Sequence, residues 1–347
     1  MAAEDMPRTL VQRYCASIAR DRLLVQAAGG NVSWKSDTTL WIKASGTWLA
    51  DAEKKDIFVP VDIQLLDVAL ARGDYAISSK ALEGYGLRPS IETLLHGLMP
   101  QRFVVHLHPV NAMAHLVRCN CEADLQTLLG NTFAWTLVDY HKPGADLAQA
   151  IHTKLLEKPD IQVVLLKNHG VILGAETLVE IDRLLQALNK RLGVEPCLMK
   201  SVVIGGRGLT STELDGTSYH FYPDETMHCL ASKPELYQRL SDSWAICPDH
   251  VVFLGAQAIR IDDLGNLRDI LRSVDLAAPF VFVKDLGVLE HCATTPAQRA
   301  QLAFYLDVML RQPPEQALET ISHEQITSLL NWDAEKYRQS LNQKIAI

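Results

Sequence analysis

The chain has 347 residues, 48% hydrophobic and 21% charged, with a formal net charge of -8 at pH 7. That balance is ordinary for a globular protein with one large core or two domains, offers no apolar run of about 18 residues to span a membrane, and lacks the basic surplus that nucleic-acid binding calls for. Seven cysteines scattered from Cys15 to Cys292 make no disulfide framework, and MAAEDMPRTL lacks the features of a secretory signal, so the cytoplasm is the expected compartment.

In chain order, residues 6–20 (MPRTLVQRYCASIAR) carry Leu10, Val11, Tyr14 and Ile18 on one side and predict an amphipathic helix. AAGGNVSW follows, and its two glycines with Asn31 and Ser33 predict a tight turn whose bare amides can approach an anion. TTLWIKASGTWL predicts a strand ending in a second small-residue turn, Ser45-Gly46, which adds a hydroxyl; both turns also read as ordinary reversals. FVPVD (58–62) predicts another strand with a helix behind it to about Arg72, and ISSKALEGYGLRP a loop rich in Ser and Gly.

The stretch from Arg88 to Pro109 concentrates the chemistry. SIETLLHGL predicts a helix capped by Ser90, with Ile91, Leu94, Leu95 and Leu98 at apolar spacing and Glu92 in its first turn. Phe103, Val104 and Val105 predict a strand, where alternate side chains share a face, so His106 and His108 project together as a two-pronged metal clamp. Glu92 is free to face that clamp. A third candidate ligand is His169, in an Asn-His-Gly turn between the apolar runs of VVLLKNHGVILG. The bland alternatives are core histidines that end apolar strands and a helix-terminal carboxylate favoured by the macrodipole; spacing alone leaves both open.

VNAMAHLV predicts a helix, and residues 119–132 a polar, mixed connection in which Cys119 and Cys121 pair by chance. Trp135–Val138 predicts a short strand before Asp139, Tyr140, His141 and the turn Lys142-Pro143-Gly144. ADLAQAIHTKLLEK then predicts a helix, IQVVLLK a buried strand, and ETLVEIDRLLQALNKRL a helix with alternating charge outside. Residues 200–220 break the rhythm with Gly, Thr and Ser; Gly205-Gly206-Arg207-Gly208 lacks the ending of a nucleotide phosphate loop and reads as linker. Beyond it, HVVFLG and PFVFVKDLGVL predict strands, and 296–311 and 333–345 helices. His220, His228, His250 and His291 show no ligand spacing. The expected organisation is two α/β domains, 1–200 and a smaller 215–347.

GGNVSW (29–34), IKASG (42–46), RPSIETLLH (88–96), VVHLHP (104–109) and KNHGVILG (167–174), in this order and at fitting separations, resemble the class II aldolase/adducin family over roughly residues 7–200. The tail, with CPDHVVFLG (247–255), PFVFVKDLGV (279–288) and NWDAEKYR (331–338), resembles the extension of longer members, among them the aldolase half of rhamnulose-phosphate aldolase/dehydrogenase fusions. The resemblance implies an α/β/α sandwich around a mainly antiparallel sheet with a second, smaller α/β domain. It implies a homo-oligomer, a tetramer being favoured, and Zn²⁺ or another divalent metal on His106, His108 and His169.

It further implies Glu92 as the acid/base, and Asn31, Ser45, Gly46 and Ser90 as the cradle of a substrate phosphate. Ile91 stands where the family often carries a second hydroxyl. The implied reaction is aldol cleavage of a sugar or sugar phosphate through a zinc-stabilised enediolate, with Tyr140 the tyrosine to protonate the departing aldehyde or shape its pocket. The same logic serves a 3-oxo acid phosphate decarboxylase or a sugar-phosphate epimerase, and adducin-like scaffolds keep the fold without chemistry. The four metal-site residues together favour a lyase on a small-molecule substrate, with neither nucleic acid nor membrane as partner.

Overall fold

Near-continuous apolar runs such as FVVHL, VVLL and GVILGA bury both faces of the strands they form, and a sheet built from them needs helices on both sides. The computed structural model describes residues 5–197, 214–265, 267–273 and 278–343; Gly205 to Gly208, read as linker, lies outside the described residues. Its larger sheet has seven strands: β1 (Asn31–Ser36), β2 (Thr39–Lys43), β3 (Phe58–Asp62), β4 (Phe103–Leu107), β5 (Trp135–Val138), β6 (Val163–Leu166) and β7 (Gly170–Ala175). They run in the order β3-β2-β1-β4-β7-β6-β5, and every neighbouring pair is antiparallel except β5 with β6.

On one face, Val105 and Leu107 of β4 and Val171 and Leu173 of β7 pack with α1 (Asp5–Ile18), α4 (Val110–Leu116), α5 (Cys121–Leu129) and α7 (Leu178–Arg191). On the other, Val104 and Ile172 pack with Leu66 of α2 (Ile63–Ala71), Leu94 and Leu95 of α3 (Thr93–Leu98) and Ile151 of α6 (Ala145–Glu157). The expected α/β/α sandwich around a mainly antiparallel sheet is therefore present. His106, two residues after Val104, shares the α3 face, which brings it to Glu92 at the start of that helix.

A second sheet of four strands, ordered β8 (Tyr219–Phe221), β11 (Gly287–His291), β10 (Phe280–Val283) and β9 (Ile259–Ile261), forms the expected smaller α/β unit. Its helices, after the short α8 (Cys229–Ser232) and α9 (Pro234–Asp242), are α10 (Pro248–Leu254), α11 (Leu267–Ser273), α12 (Pro296–Met309), α13 (His323–Leu330) and α14 (Asp333–Gln343). Phe280, Phe282 and Val288 join the hydrophobic cluster that begins at Val11, whereas Val281, Val283 and Leu289 face Leu267 and Leu271 of α11. One core thus runs from the larger sheet into the smaller unit.

The structure corrects four local readings. Asn31 and Ser33 lie not in the turn but on β1, which pairs with β2 and β4; the left-handed residues of the turn are Ala27 (φ 50) and Gly30 (φ 72). The helix after Ser90 starts only at Thr93, leaving Glu92 just before its first turn with φ -99 and ψ 13. Residues 121–129 are helix, because Cys121, Leu125 and Leu129 bury at helical spacing with Glu122 and Asp124 in the first turn. HVVFLG belongs to α10 rather than to a strand: Pro248 opens the helix and Gly255 closes it at φ 90, and those two signals decide a short apolar run whose periodicity does not. PFVFVKDLGVL is two strands, β10 and β11, joined by a tight turn. All seven cysteines are free. Among the described residues no helix is long and apolar enough to cross a membrane.

Candidate metal centre

His106 ends up on the sheet's central strand and His108 just beyond it, where Pro109 turns the chain into α4. His169 arrives from the turn between β6 and β7, the strand paired with β4. That turn needs its sequence. Asn168 sits at φ 51, a conformation asparagine tolerates, and its amide donates to Ile246 O (3.1 Å) and Glu319 O (2.8 Å). A Cβ on Gly170 would stand 2.4 Å from Leu107 O and 2.7 Å from His108 Cδ2, so only glycine lets the turn close over the two histidines.

The three imidazoles are buried and could hold a metal ion, each offering a ligand nitrogen within 4.8 Å of the others. His106 Nδ1 lies 3.0 Å from Val171 O, which fixes the ring proton there and leaves Nε2 as a lone pair; roles of ring nitrogens follow from such partners. His108 turns Nδ1 toward Asp249 Oδ2 (3.7 Å) and places Nε2 3.1 Å from His106 Nε2. With each Nδ1 turned to an oxygen, two nitrogen lone pairs converge, an arrangement that a cation between them stabilises. Burial lowers the pKa of His106 and brings that of His108 down to about 3, so both are neutral near pH 7, the form in which an imidazole can ligate a metal. The residues fit a divalent metal.

Glu92 closes the group. Its Oε1 is 3.2 Å from His169 Nε2 and its Oε2 3.5 Å from His106 Nε2, while Asn31 Nδ2 donates to Oε2 at 2.7 Å. Asn31 reaches it because it pairs opposite His106 across β1 and β4. Burial pushes the Glu92 carboxyl up, but His106, His169 and His108 outweigh that and hold it well below the usual carboxylate range.

Ser45 and Ser90 meet through a short antiparallel bridge between Ala44 and Pro89, with Ser45 N donating to Arg88 O (2.9 Å) and Ser90 N to Lys43 O (3.2 Å). Asn31, Ser45, Gly46 and Ser90 all line the cavity that Glu92, His108 and His169 open into. Tyr140 does not line it. Its ring packs against the cluster formed by Val251, Phe253 and Ile326, and its buried hydroxyl has no hydrogen-bond partner.

The sequence reading missed Lys43, Asp249, Glu335 and Arg338, all on the same cavity wall. Lys43 Nζ donates to Ala28 O (2.9 Å) and Thr47 O (2.7 Å), tying the two small-residue turns together, and burial, with Arg338 nearby, lowers its pKa to about 7. Arg338 of α14 is paired with Asp249 of α10 and with Glu335 (3.3 Å). Burial pushes Asp249 up, yet Arg338 and His108 hold it below its ordinary value. The one local hint was in CPDHVVFLG, where Asp249 interrupts a segment that is otherwise largely apolar and buried; Lys43, Glu335 and Arg338 carried none. His96 was missed too; it is buried, and its Nδ1 lies 2.7 Å from Ser33 Oγ.

The family model for the class II aldolase and adducin N-terminal domain matches residues 9–193. The chain is 26% identical over 301 residues to the uncharacterized oxidoreductase YuxG of Bacillus subtilis, a match covering 75% of this chain and 43% of that one, so it spans under half of that relative's length. It is 26% identical over 167 residues to the L-fuculose phosphate aldolase of Methanocaldococcus jannaschii, covering 46% of this chain and 80% of that one. Among solved structures, the N-terminal class II aldolase domain of a Thermoplasma acidophilum protein aligns with a TM-score of 0.45 and 24% identity, over 52% of this chain and 90% of that one.

Proposed function

This chain belongs to the class II aldolase and adducin family, and on that premise we propose that it is a metal-dependent carbon–carbon lyase, an aldolase that cleaves a sugar or sugar phosphate. The observation that carries the reading is the convergence of His106, His108 and His169 on one point with Glu92 3.2 Å from His169. We assign Zn²⁺, or another divalent metal, to those three nitrogens; when bound it acts as a Lewis acid toward a carbonyl oxygen and leaves a coordination position open.

Glu92 is the acid/base. Held ionised and anchored through Oε2 by Asn31, it takes a proton from the carbon next to the carbonyl in the synthetic direction and returns it after cleavage, a role worth roughly 10²–10⁴-fold in rate. Ser45, Gly46 and Ser90 line the cavity, and the two serine hydroxyls and the Gly46 amide are the donors we assign to a phosphate or hydroxyl group of the substrate. Ile91 lines the same cavity and brings no hydroxyl, so the cradle has one donor fewer than the family pattern. Tyr140 serves this reading by packing behind the cavity and not as its proton donor.

In this reading residues 1–200 form the catalytic domain and 215–347 a smaller domain that closes it, and the protein acts in the cytoplasm as a homo-oligomer, with a tetramer favoured. Leu65, Val68, Leu82, Tyr85 and Leu87 are exposed on α2 and the loop that follows, an apolar surface that assembly would cover. The relative from Methanocaldococcus jannaschii, an L-fuculose phosphate aldolase by name, supports the substrate class.

The test is a screen of metal-loaded protein against phosphorylated and free sugars with products identified. An aldehyde plus a three-carbon ketone supports the aldolase. Carbon dioxide or an inverted stereocentre would move the same site to a decarboxylase or an epimerase. A full-length protein that binds no metal would fit the adducin-like scaffold instead.

A further inference from the structure

His108 is held from outside the family domain. Its Nδ1 faces the carboxylate of Asp249, which lies far beyond residue 193, at a distance of 3.7 Å. Both side chains are almost fully enclosed, with 6% and 5% of their surface exposed. Asp249 is itself fixed: its Oδ1 accepts from Arg338 on α14, while Oδ2, the oxygen turned to His108, has no hydrogen-bond partner. The gap between carboxylate and ring is kept clear by Gly29, whose Cβ would stand 2.8 Å from Asp249 Oδ2 and 3.3 Å from His108 Nδ1. Three separate parts of the chain, the Gly29-Gly30 turn, α10 and α14, therefore converge behind one imidazole.

We propose that Asp249, clamped by Arg338, is a positioning residue for His108, fixing the ring's orientation and keeping its proton on Nδ1 so that Nε2 presents a lone pair to the metal. The inference rests on the reading of the three histidines as metal ligands. A negative charge beside Nδ1 favours the tautomer with its hydrogen there, and a ligand histidine whose outer nitrogen is so faced is both oriented and made a better donor. The separation of 3.7 Å is longer than a hydrogen bond, so the action is that of a fixed charge on the ring. Arg338 supplies the counter-charge without which a buried carboxylate is costly. The C-terminal extension is on this account part of the metal site, and the family domain by itself builds only the inner ligand set.

Co²⁺ alone is the probe, titrated into the full-length metal-free chain, with affinity read by chelator competition and ligand geometry by the visible d–d bands. Asp249→Asn keeps the shape and removes the charge; it is expected to weaken Co²⁺ binding about 10–100-fold and to change the bands, while Asp249→Glu recovers part of the loss. Gly29→Ala, whose Cβ would press on Asp249 Oδ2 and on the Nδ1 side of His108, is expected to weaken binding in the same direction and carries the test should Asp249→Asn fail to fold. Co²⁺ affinity and spectrum in Asp249→Asn matching the parent would overturn the proposal, as would parental affinity in Gly29→Ala. A parent chain that takes up no Co²⁺ would instead remove the metal reading beneath it.

Discussion

Glu92 and His169 face each other at 3.2 Å, Oε1 to Nε2, while the second carboxylate oxygen is held by Asn31 at 2.7 Å. One oxygen is anchored and the other directed at the ligand group, as a positioned acid/base requires. Glu92→Gln keeps the shape and the Asn31 contact but cannot accept a proton. It is expected to lower kcat by roughly 10²–10⁴-fold while leaving metal content at the parent level, measured by steady-state kinetics beside elemental analysis. A variant with parental kcat would remove Glu92 from the chemistry.

Gly170 is the second test of the geometry. An added Cβ meets a backbone oxygen at 2.4 Å and the His108 ring at 2.7 Å, and neither is the loose end of a side chain. Gly170→Ala is expected to cost about 1–3 kcal/mol by overpacking and to weaken metal binding with it. Thermal unfolding with and without metal checks both; unchanged Tm and metal affinity would mean that the turn does not pack against the ligands as described.

Glu335 gives a pH prediction. It is 1% exposed, and burial pushes its carboxyl from 4.5 up to about 7. The folded chain therefore binds more protons than the unfolded chain between those values. The stabilisation is fully present below pH 4.5 and is lost as pH rises through 7, by up to about 3 kcal/mol. Glu335→Gln, which stays neutral, is expected to flatten that part of the stability curve in denaturant titrations from pH 4.5 to 7. A parental slope in the variant would assign the dependence to other groups.

Much of this site was legible because it is local in sequence. His106 lies on β4 and His108 just past its end with one residue between them, Asn168-His169-Gly170 marks a turn whose close approach to Leu107 and His108 requires Gly170, and the Ser90–Glu92 segment precedes them in the chain. Most strands and helices followed from periodicity, and the sandwich they build was implied by the family resemblance. What stayed hidden depends on contacts between distant segments. Asn31 and Ser33 looked like turn residues because two glycines precede them; pairing with both β2 and β4 makes them strand. The run from His250 to Leu254 is as apolar as a strand, and only the flanking Pro248 and Gly255 favour helix. Asp249, Glu335 and Arg338 gave no motif of their own. They reach the cavity because α10 and α14 fold back onto the β1 turn and the histidines, a tertiary fact that no spacing along the chain encodes. Tyr140 was singled out to protonate the departing aldehyde or to shape its pocket; it packs on the cluster of Val251, Phe253 and Ile326 and does not line the cavity.

Whether His106, His108 and His169 hold one cation on which the reaction depends is decided by metal analysis of the purified chain beside that of His106→Ala. The expected result is about one divalent ion per parent chain, activity lost to a chelator and restored by the metal, and both metal and activity lost in His106→Ala. Full activity in His106→Ala, or in a parent chain stripped of metal, would contradict it.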